Sequence, residues 1–545
     1  MNSRILISVI FLSILFCGTL SSQNFLEPTP VLPLKATTVP MFGKDIVIRD
    51  RIDQNQKTVA VCSAFNGWLF SAFTFIKEKE NWTNILRSID NGITWELIRE
   101  GSLPFPRTRM IEIDLIATGN DLDNLKLFGC FIGYDTIEKI NHNAVARFNG
   151  ISGDFEIQIS LPSNTRDIAI ASDCNFPALN SNPNSFAIIY SRSHIVLTDT
   201  IAFICSSDGG TVFDTHRVLD YTEEGHFDKV DLSYGYSPTL NTGRYYAAWE
   251  KKFTQSSAFG SIYTAHSEPA YNSPFTPAEC LDCSDPSIYK KLRNPVIATQ
   301  YGNAENDSLN LTEIILSEKQ SSKNESVDIA GFYNLQSTAT GYFRPLTING
   351  SQDGRTQPDM FYNPYDSTFN VTYFNSSESQ LPYLVNNMNL STPDSWNVIS
   401  SGYNDSINIS DPQPKCRLNF SDHYGIFAWC SVGSDGRGIA MFDAANSIYN
   451  YISENNKSLD DLNLHAYPNP CSNETAIWFD LPKQEMVTFK VYSILGNPIS
   501  NEVHQLFSPG INNIRIDLSS SPPGTYLYSF QVKEYCATGK IIVVK

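Results

Sequence analysis

The chain has 545 residues and a formal net charge of −18, more length than one ordinary domain needs and ample material for a core. No long basic run offsets the acidity, which argues against nucleic acid or an anionic membrane as partner, since phosphate binding needs clustered Lys and Arg. Aromatic residues at 12 %, with 30 Gly and 29 Pro, point to a β-rich and turn-rich protein.

Residues 1–22 read as a signal peptide: Arg4, an apolar run from Ile5 to Phe16, then Gly18, Thr19, Ser21 and Ser22. The apolar run is too short for a membrane span, and no later segment is longer, so no transmembrane span is expected in the mature chain. Phe16 is too bulky for a lipoprotein cleavage pattern at Cys17.

From residue 40 to 452 a loose unit recurs. Strongly β runs appear as "WLFSAFTFI", "LKLFGCFIGY", "SFAIIYS", "RYYAAWE", "LNLTEIILS", "FNVTYF" and "YGIFAWCSV". Several are preceded by a shorter run: "RMIEIDLIA", "RDIAIAS", "NPVIATQ", "QPDMFYN" and "KCRLNFS". The spacing fits about seven small sheets packed radially, each burying both faces, with an early strand closing the last. Two fused β-sandwiches are the alternative.

Two stretches share a turn chemistry. Ser88-x-Asp90-x-Gly92-x-x-Trp95 and Ser206-x-Asp208-x-Gly210-x-x-Phe213 each follow a β run. An Asp carboxylate accepts backbone N–H bonds, Gly supplies positive φ, and the aromatic ring wedges between sheets. The spacing resembles the Asp-box (BNR repeat) of sialidase-like β-propellers, which implies outer hairpins away from any active site. It says nothing of catalysis. Ser351-Gln352-Asp353-Gly354 lacks Gly at the required place and is not counted.

Five arginines open proposed inner strands: Arg109, Arg166, Arg293, Arg355 and Arg417. Inner strands line a propeller's channel, so these are the candidate ligand-binding residues, a basic ring in an acidic protein. The plainer reading pairs them with nearby acids such as Asp167 and Asp359. The sialidase Arg-Ile/Leu-Pro signature is absent; Arg49 and Arg51 stand in roughly that region without Pro. No catalytic nucleophile stands out among the scattered His, and no cofactor is implied.

Ten of the 11 cysteines lie beyond the leader. Cys62, Cys130, Cys205 and Cys430 sit in apolar runs and read as small hydrophobes. Cys280-Leu-Asp-Cys283 looks like half a zinc site with nothing to complete it, so a loop disulfide or free thiols are expected and no metal.

After a polar linker at 453–460 the character changes. Tyr467-Pro468-Asn469-Pro470, the "VYSILGNPI" hairpin, Gly510, Leu518, Gly524-Thr525-Tyr526 and the closing "GKIIVVK" follow in order. Residues 461–545 resemble the type A C-terminal sorting domain of the type IX secretion system. The resemblance implies a small Ig-like β-sandwich, a Gram-negative source, the type IX secretion machinery as partner, and release or display at the cell surface. Cys471 and Cys536 are its two cysteines and could pair.

The expected protein is all-β: an about seven-bladed β-propeller, then an Ig-like β-sandwich. Its expected role is a secreted or cell-surface binding or surface-structural module for extracellular glycan or protein. The alternative is a divergent sialidase-like exo-glycosidase.

Overall fold

The computed structural model describes residues 46–445 and 464–544 apart from loop stretches, the longest being 173–183, 301–310, 387–395 and 401–413. The expected leader and linker lie outside the described residues. Among those described, every regular element is a strand, and no helix is long and apolar enough to cross a membrane.

Seven four-stranded antiparallel sheets follow one another. The first holds β2–β5 (Val59–Ser63, Leu69–Lys77, Glu80–Ser88, Glu96–Pro106) and the second β6–β9 (Thr108–Thr118, Lys126–Asp135, Asn141–Asn149, Phe155–Ile159). The third holds β10–β13 (Thr165–Ser172, Phe186–Arg192, Asp199–Ser206, Arg217–Thr222). The fourth holds β14–β17 (His226–Ser237, Thr242–Lys252, Ser261–His266, Glu279–Cys280). The fifth holds β18–β21 (Leu292–Thr299, Glu313–Gln320, Val327–Asn334, Arg344–Leu346) and the sixth β22–β25 (Arg355–Asn363, Thr368–Asn375, Tyr383–Asn386, Asn397–Ser400). The last holds β26–β28 (Lys415–Asn419, Tyr424–Val432, Gly438–Ala445), and the earliest strand, β1 (Ile46–Ile52), pairs with β28 to complete it.

The first strands of successive sheets pack side by side, from β2 through β6, β10, β14, β18 and β22 to β26, and β26 packs back against β2. A closed ring of sheets about a common axis is a β-propeller. Two stacked sandwiches are thereby excluded for this region.

Alternation along the second strands explains why the ring holds. In β11, Phe186, Ile188 and Tyr190 enter the core shared with the second sheet, while Ala187 and Ile189 enter the core shared with the fourth. In β15, Tyr245, Ala247 and Trp249 face one neighbour, and Tyr246 and Ala248 face the other. A strand buried on both faces is apolar at most positions, which is why these runs read as near-continuous.

The two matching turns join the third and fourth strands of the first and third sheets, at the outer edge. Ser88 Oγ donates to Asp90 Oδ1 at 2.8 Å and accepts from the Gly92 N–H at 2.8 Å, while Asp90 Oδ1 accepts from Thr94 N–H at 2.9 Å. Ser206, Asp208, Gly210 and Val212 repeat the pattern at 2.9 Å for each bond. Trp95 lies edge-on to Phe442 of the last sheet, and Phe213 lies edge-on to Phe186 against the core shared with the second sheet. The second sheet has a degenerate version that the spacing conceals, in which Asn149 Oδ1 accepts from Ile151 and Ser152 N–H. Arg87 donates to the Ile151 carbonyl at 2.7 Å, and Arg147 donates to the Gly209 carbonyl at 2.6 Å, so each turn is tied to the preceding sheet.

Gly92 has φ +87°, and a Cβ there would stand 2.1 Å from Phe442 Cε1. Phe442 is fully buried and cannot yield. Gly92→Ala is expected to cost about 2–4 kcal/mol, from left-handed strain plus overpacking. Gly210→Ala, whose Cβ would meet Phe128 at 3.0 Å, should cost roughly half that, as read by chemical denaturation. Equal losses at the two sites would refute the packing argument.

The C-terminal segment forms two sheets. One is β29 (His465–Tyr467), β30 (Glu474–Leu481) and β33 (Gly510–Asp517). The other is β32 (Val503–Phe507), β31 (Glu485–Ser493), β34 (Gly524–Val532) and β35 (Tyr535–Val543). Ile477, Phe479 and Ile514 of one sheet share a core with Val487, Phe489, Phe530 and Ile541 of the other. The Pro-Asn-Pro turn is stitched to β35, where Asn469 donates to the Lys540 carbonyl and accepts from Ile542 N–H, both at 2.8 Å.

One expectation here is corrected. Cys471 is a buried free thiol bridged by backbone to Val543, whereas Cys536 lies seven residues along β35 from Val543. That places the two roughly 23 Å apart, far beyond disulfide reach. Cys62, Cys130, Cys205 and Cys430 are buried free thiols, as their apolar settings suggest.

Candidate functional site

Each of the seven inner strands sets at least one polar residue against the channel. A β-bulge falls near the start of β6, β10, β14, β18 and β22, and it turns adjacent side chains toward the axis. Carboxylates placed there stitch one inner strand to the next. Asp167 accepts from Val230 N–H, Asp231 from Ile297 N–H and Asp359 from Cys416 N–H, each at 2.8 Å. Asp114 accepts from Ile170 N–H at 3.4 Å, and Glu318 accepts from the bulge residue Gln357 at 2.9 Å.

Arg417 crosses this ring. Its Nη1 donates to Asp359 at 2.9 Å and its Nη2 to Asp114 at 3.2 Å, on β22 and β6. Burial alone would weaken its hold on the proton, but Asp359, then Asp114 and Asp231, outweigh that and raise its pKa. Asp231 is pushed up to about 7, first by burial and then by Asp359, against the opposing pull of Ile297 N–H and Arg417. One guanidinium therefore sits among three carboxyls, one of them poised to carry a proton near neutrality.

The cluster divides the channel. On one side is a cavity of about 560 Å³ whose lining includes Thr58, Asn294, Thr356 and Gln357. On the other is a space of about 150 Å³ whose lining includes Leu115, Ile116, Leu232, Met360 and Leu418. Arg417, Asp231 and Asp359 border both. The wider mouth presents Lys229, Arg293, Lys415 and Arg417 against Asp114, Asp231, Glu318 and Asp359, so its formal charges balance.

The four of the five expected arginines whose side chains are described do not gather into a ring. Arg293 and Arg417 line the mouth, and both are already paired, Arg293 with Glu318 at 2.7 Å. Arg355 is 1 % exposed and points between the fifth and sixth sheets, where it meets Asp328 at 2.6 Å and the Ile348 carbonyl. Arg166 reaches Ser193 at 3.2 Å and Asp199 at 3.6 Å and does not line the cavity. Arg109 lies on β6, its side chain outside the described residues. A one-residue offset at each bulge sends successive side chains to different faces, which strand starts alone do not reveal.

The residues that do meet were present as a different signal: an Asp within four of the seven inner strands, at Asp114, Asp167, Asp231 and Asp359. Asp231 follows Val230 just as Arg417 follows Cys416, and those two amides are the ones bound by the preceding sheet's Asp. Cys280 and Cys283 are joined as a disulfide, so their sulfurs are not thiolate ligands for zinc.

Residues 465–544 match the family described as "Secretion system C-terminal sorting domain", and this tail marks a secreted or cell-surface protein. No curated protein matches the chain. Among solved structures, the α-L-arabinofuranosidase Arb93A from Fusarium graminearum is similar at 9 % identity and a TM-score of 0.43, covering 74 % of this chain and 98 % of that one. The polysaccharide lyase Uly1 is similar at 8 % and 0.42 (73 % and 90 % covered), and the Dos1 propeller at 10 % and 0.40 (75 % and 95 %). At such scores these likenesses carry no inference about chemistry or ligand.

Proposed function

We propose that this is a binding protein exported by the type IX system, whose propeller mouth takes a neutral extracellular glycan. The seven sheets are read as seven blades, the two outer turns as Asp-boxes, and residues 461–545 as an Ig-like sorting sandwich. The observation that carries the ligand class is the pairing of the mouth's arginines. A sialate or uronate needs guanidinium groups whose bidentate bonds are unspent, and Arg293 and Arg417 are engaged by Glu318, Asp114 and Asp359. Rim groups such as Thr58, Asn294 and Gln357 suit sugar hydroxyls.

A glycan array on the full chain tests this. Neutral oligosaccharides are expected to bind in preference to sialylated ones, and Arg293→Gln, which releases Glu318, should weaken binding about tenfold or more. Preferential sialoside binding, or turnover of a fluorogenic sialoside, would instead favour the sialidase-like reading.

One observation keeps hydrolysis as a second reading. A carboxyl held near neutrality beside two others is the arrangement in which one acid protonates a leaving group. Aryl glycosides of neutral sugars, assayed with wild type and Asp231→Asn, separate binding from hydrolysis.

A further inference from the structure

The Cys280–Cys283 turn, at the outer edge of the fourth sheet, has no part in the channel. Cys280 ends the short outer strand β17 and is half-buried, while Cys283 is exposed. Between them Asp282 is fully buried. Its Oδ1 accepts from Ile262 N–H at 3.2 Å and its Oδ2 from Lys290 N–H at 3.1 Å. The same Oδ1 lies 3.5 Å from Cys280 Sγ, and the Tyr263 hydroxyl stands 3.8 Å from Cys283 Sγ.

As a structural staple this disulfide is weak. Four residues make the closed loop, and so small a loop removes little entropy from the unfolded chain. Exposed disulfides are also the ones open to attack by thiolates. A buried carboxyl is costly to keep unless it is hydrogen-bonded, and this one, held by the Ile262 and Lys290 amides, also touches the sulfur that would depart if Cys283 were attacked. Burial pushes the Asp282 carboxyl up, against hydrogen bonds from Ser261, Lys290 and Ile262.

We propose that Cys280–Cys283 is a thiol–disulfide exchange site for an external dithiol, with Asp282 as the proton donor to the leaving Cys280 sulfur. The incoming thiolate attacks Cys283 Sγ along the exposed side. The S–S bond breaks, its electron pair leaves on Cys280 Sγ, and that sulfur takes the Asp282 proton. The second thiol of the dithiol loses its proton to solvent and attacks the mixed disulfide. Cys283 departs as a thiolate and is protonated from solvent, which also restores the Asp282 proton. Two electrons and two protons thus pass from the dithiol to the cysteine pair, and the dithiol becomes a disulfide. Tyr263 is placed to donate a hydrogen bond to Cys283 Sγ as charge develops there. Its own pKa is pushed up to about 12, first by burial and then by Asp220, Tyr289 and Asp282, so it keeps its proton.

The test uses the full folded chain, graded dithiothreitol, alkylation, and mass spectrometry of the peptide carrying residues 280–283. The pair is expected to reduce in the native protein, and Asp282→Asn should slow that reduction about tenfold. Two single-cysteine variants keep the proposal falsifiable should Asp282→Asn fail to fold. Cys280→Ala leaves the exposed Cys283, which should form a mixed disulfide with oxidised glutathione (glutathione disulfide), releasing one reduced glutathione, about tenfold faster than the Cys280 left by Cys283→Ala. Reduction only in denaturant, or equal rates for the two variants, would overturn the exchange site. A folded Asp282→Asn that reduces at the wild-type rate would overturn the role of Asp282.

Discussion

Replacing Arg417 with Met is expected to destabilise the propeller by about 2–3 kcal/mol at neutral pH, less than the loss of one partner from a fully buried ion pair, because the guanidinium is only part-buried at the channel wall. Asp359 and Asp114 would keep their places, because each also accepts a backbone N–H from a neighbouring inner strand. They would then face one another, and Asp231, across the channel without the guanidinium between them. The loss should shrink as the pH falls, since protonating a carboxyl relieves the same repulsion. Adding Asp359→Asn should recover part of it, because the two changes share one network. Urea denaturation of the single and double variants at two pH values measures both effects. A single variant within about 1 kcal/mol of wild type would mean that the cluster is solvated and that Arg417 holds little together.

The second large effect is a dependence of stability on pH carried by Glu313. This residue opens β19, is 2 % exposed and accepts from the Thr264 hydroxyl at 3.2 Å. Burial pushes its carboxyl up to about 8, with Glu279 adding to the shift and Thr264 opposing it. Between the ordinary carboxyl range and pH 8 the folded state therefore holds a proton that the unfolded chain has lost. Stability from this group is highest in acid and falls as the pH rises through that window. The full loss by pH 9 is on the order of 4 kcal/mol. Asp231, held near 7, contributes in the same direction over a narrower range. Glu313→Gln should resemble wild type at pH 5 and be several kcal/mol more stable at pH 9, because an amide never ionises. A difference between the two proteins that is flat across pH would show that Glu313 is ionised in the fold.

Much of the β-ring was legible because its second strands report both neighbours at once. All seven strongly apolar runs became second strands, since a strand buried on both faces is apolar at most positions, with buried polar residues such as Glu313 and Asn370 the exceptions. Five of the seven inner strands were also visible. The two that were not are Val59–Ser63 and His226–Ser237. The second carries His226, Asp228, Lys229 and Asp231, whose charges and polarity break the apolar pattern. The turns at Asp90 and Asp208 were readable because their bonds close within a few residues, so local order already contains the geometry.

By itself the sequence determined the alternating strands, the chemistry of the outer turns and the C-terminal sorting domain, all of which depend on spacing within a few residues or within one repeat. Only the tertiary structure decided what occupies the channel. Arg355 turns into the core, while Arg417, on the unbulged β26, reaches Asp114 on β6, more than 300 positions away. It likewise decided that Cys471 and Cys536 stand at different levels of the sandwich. Contacts of that kind are set by register between distant strands, and register is a property of the closed ring and the packed sheets rather than of any one segment.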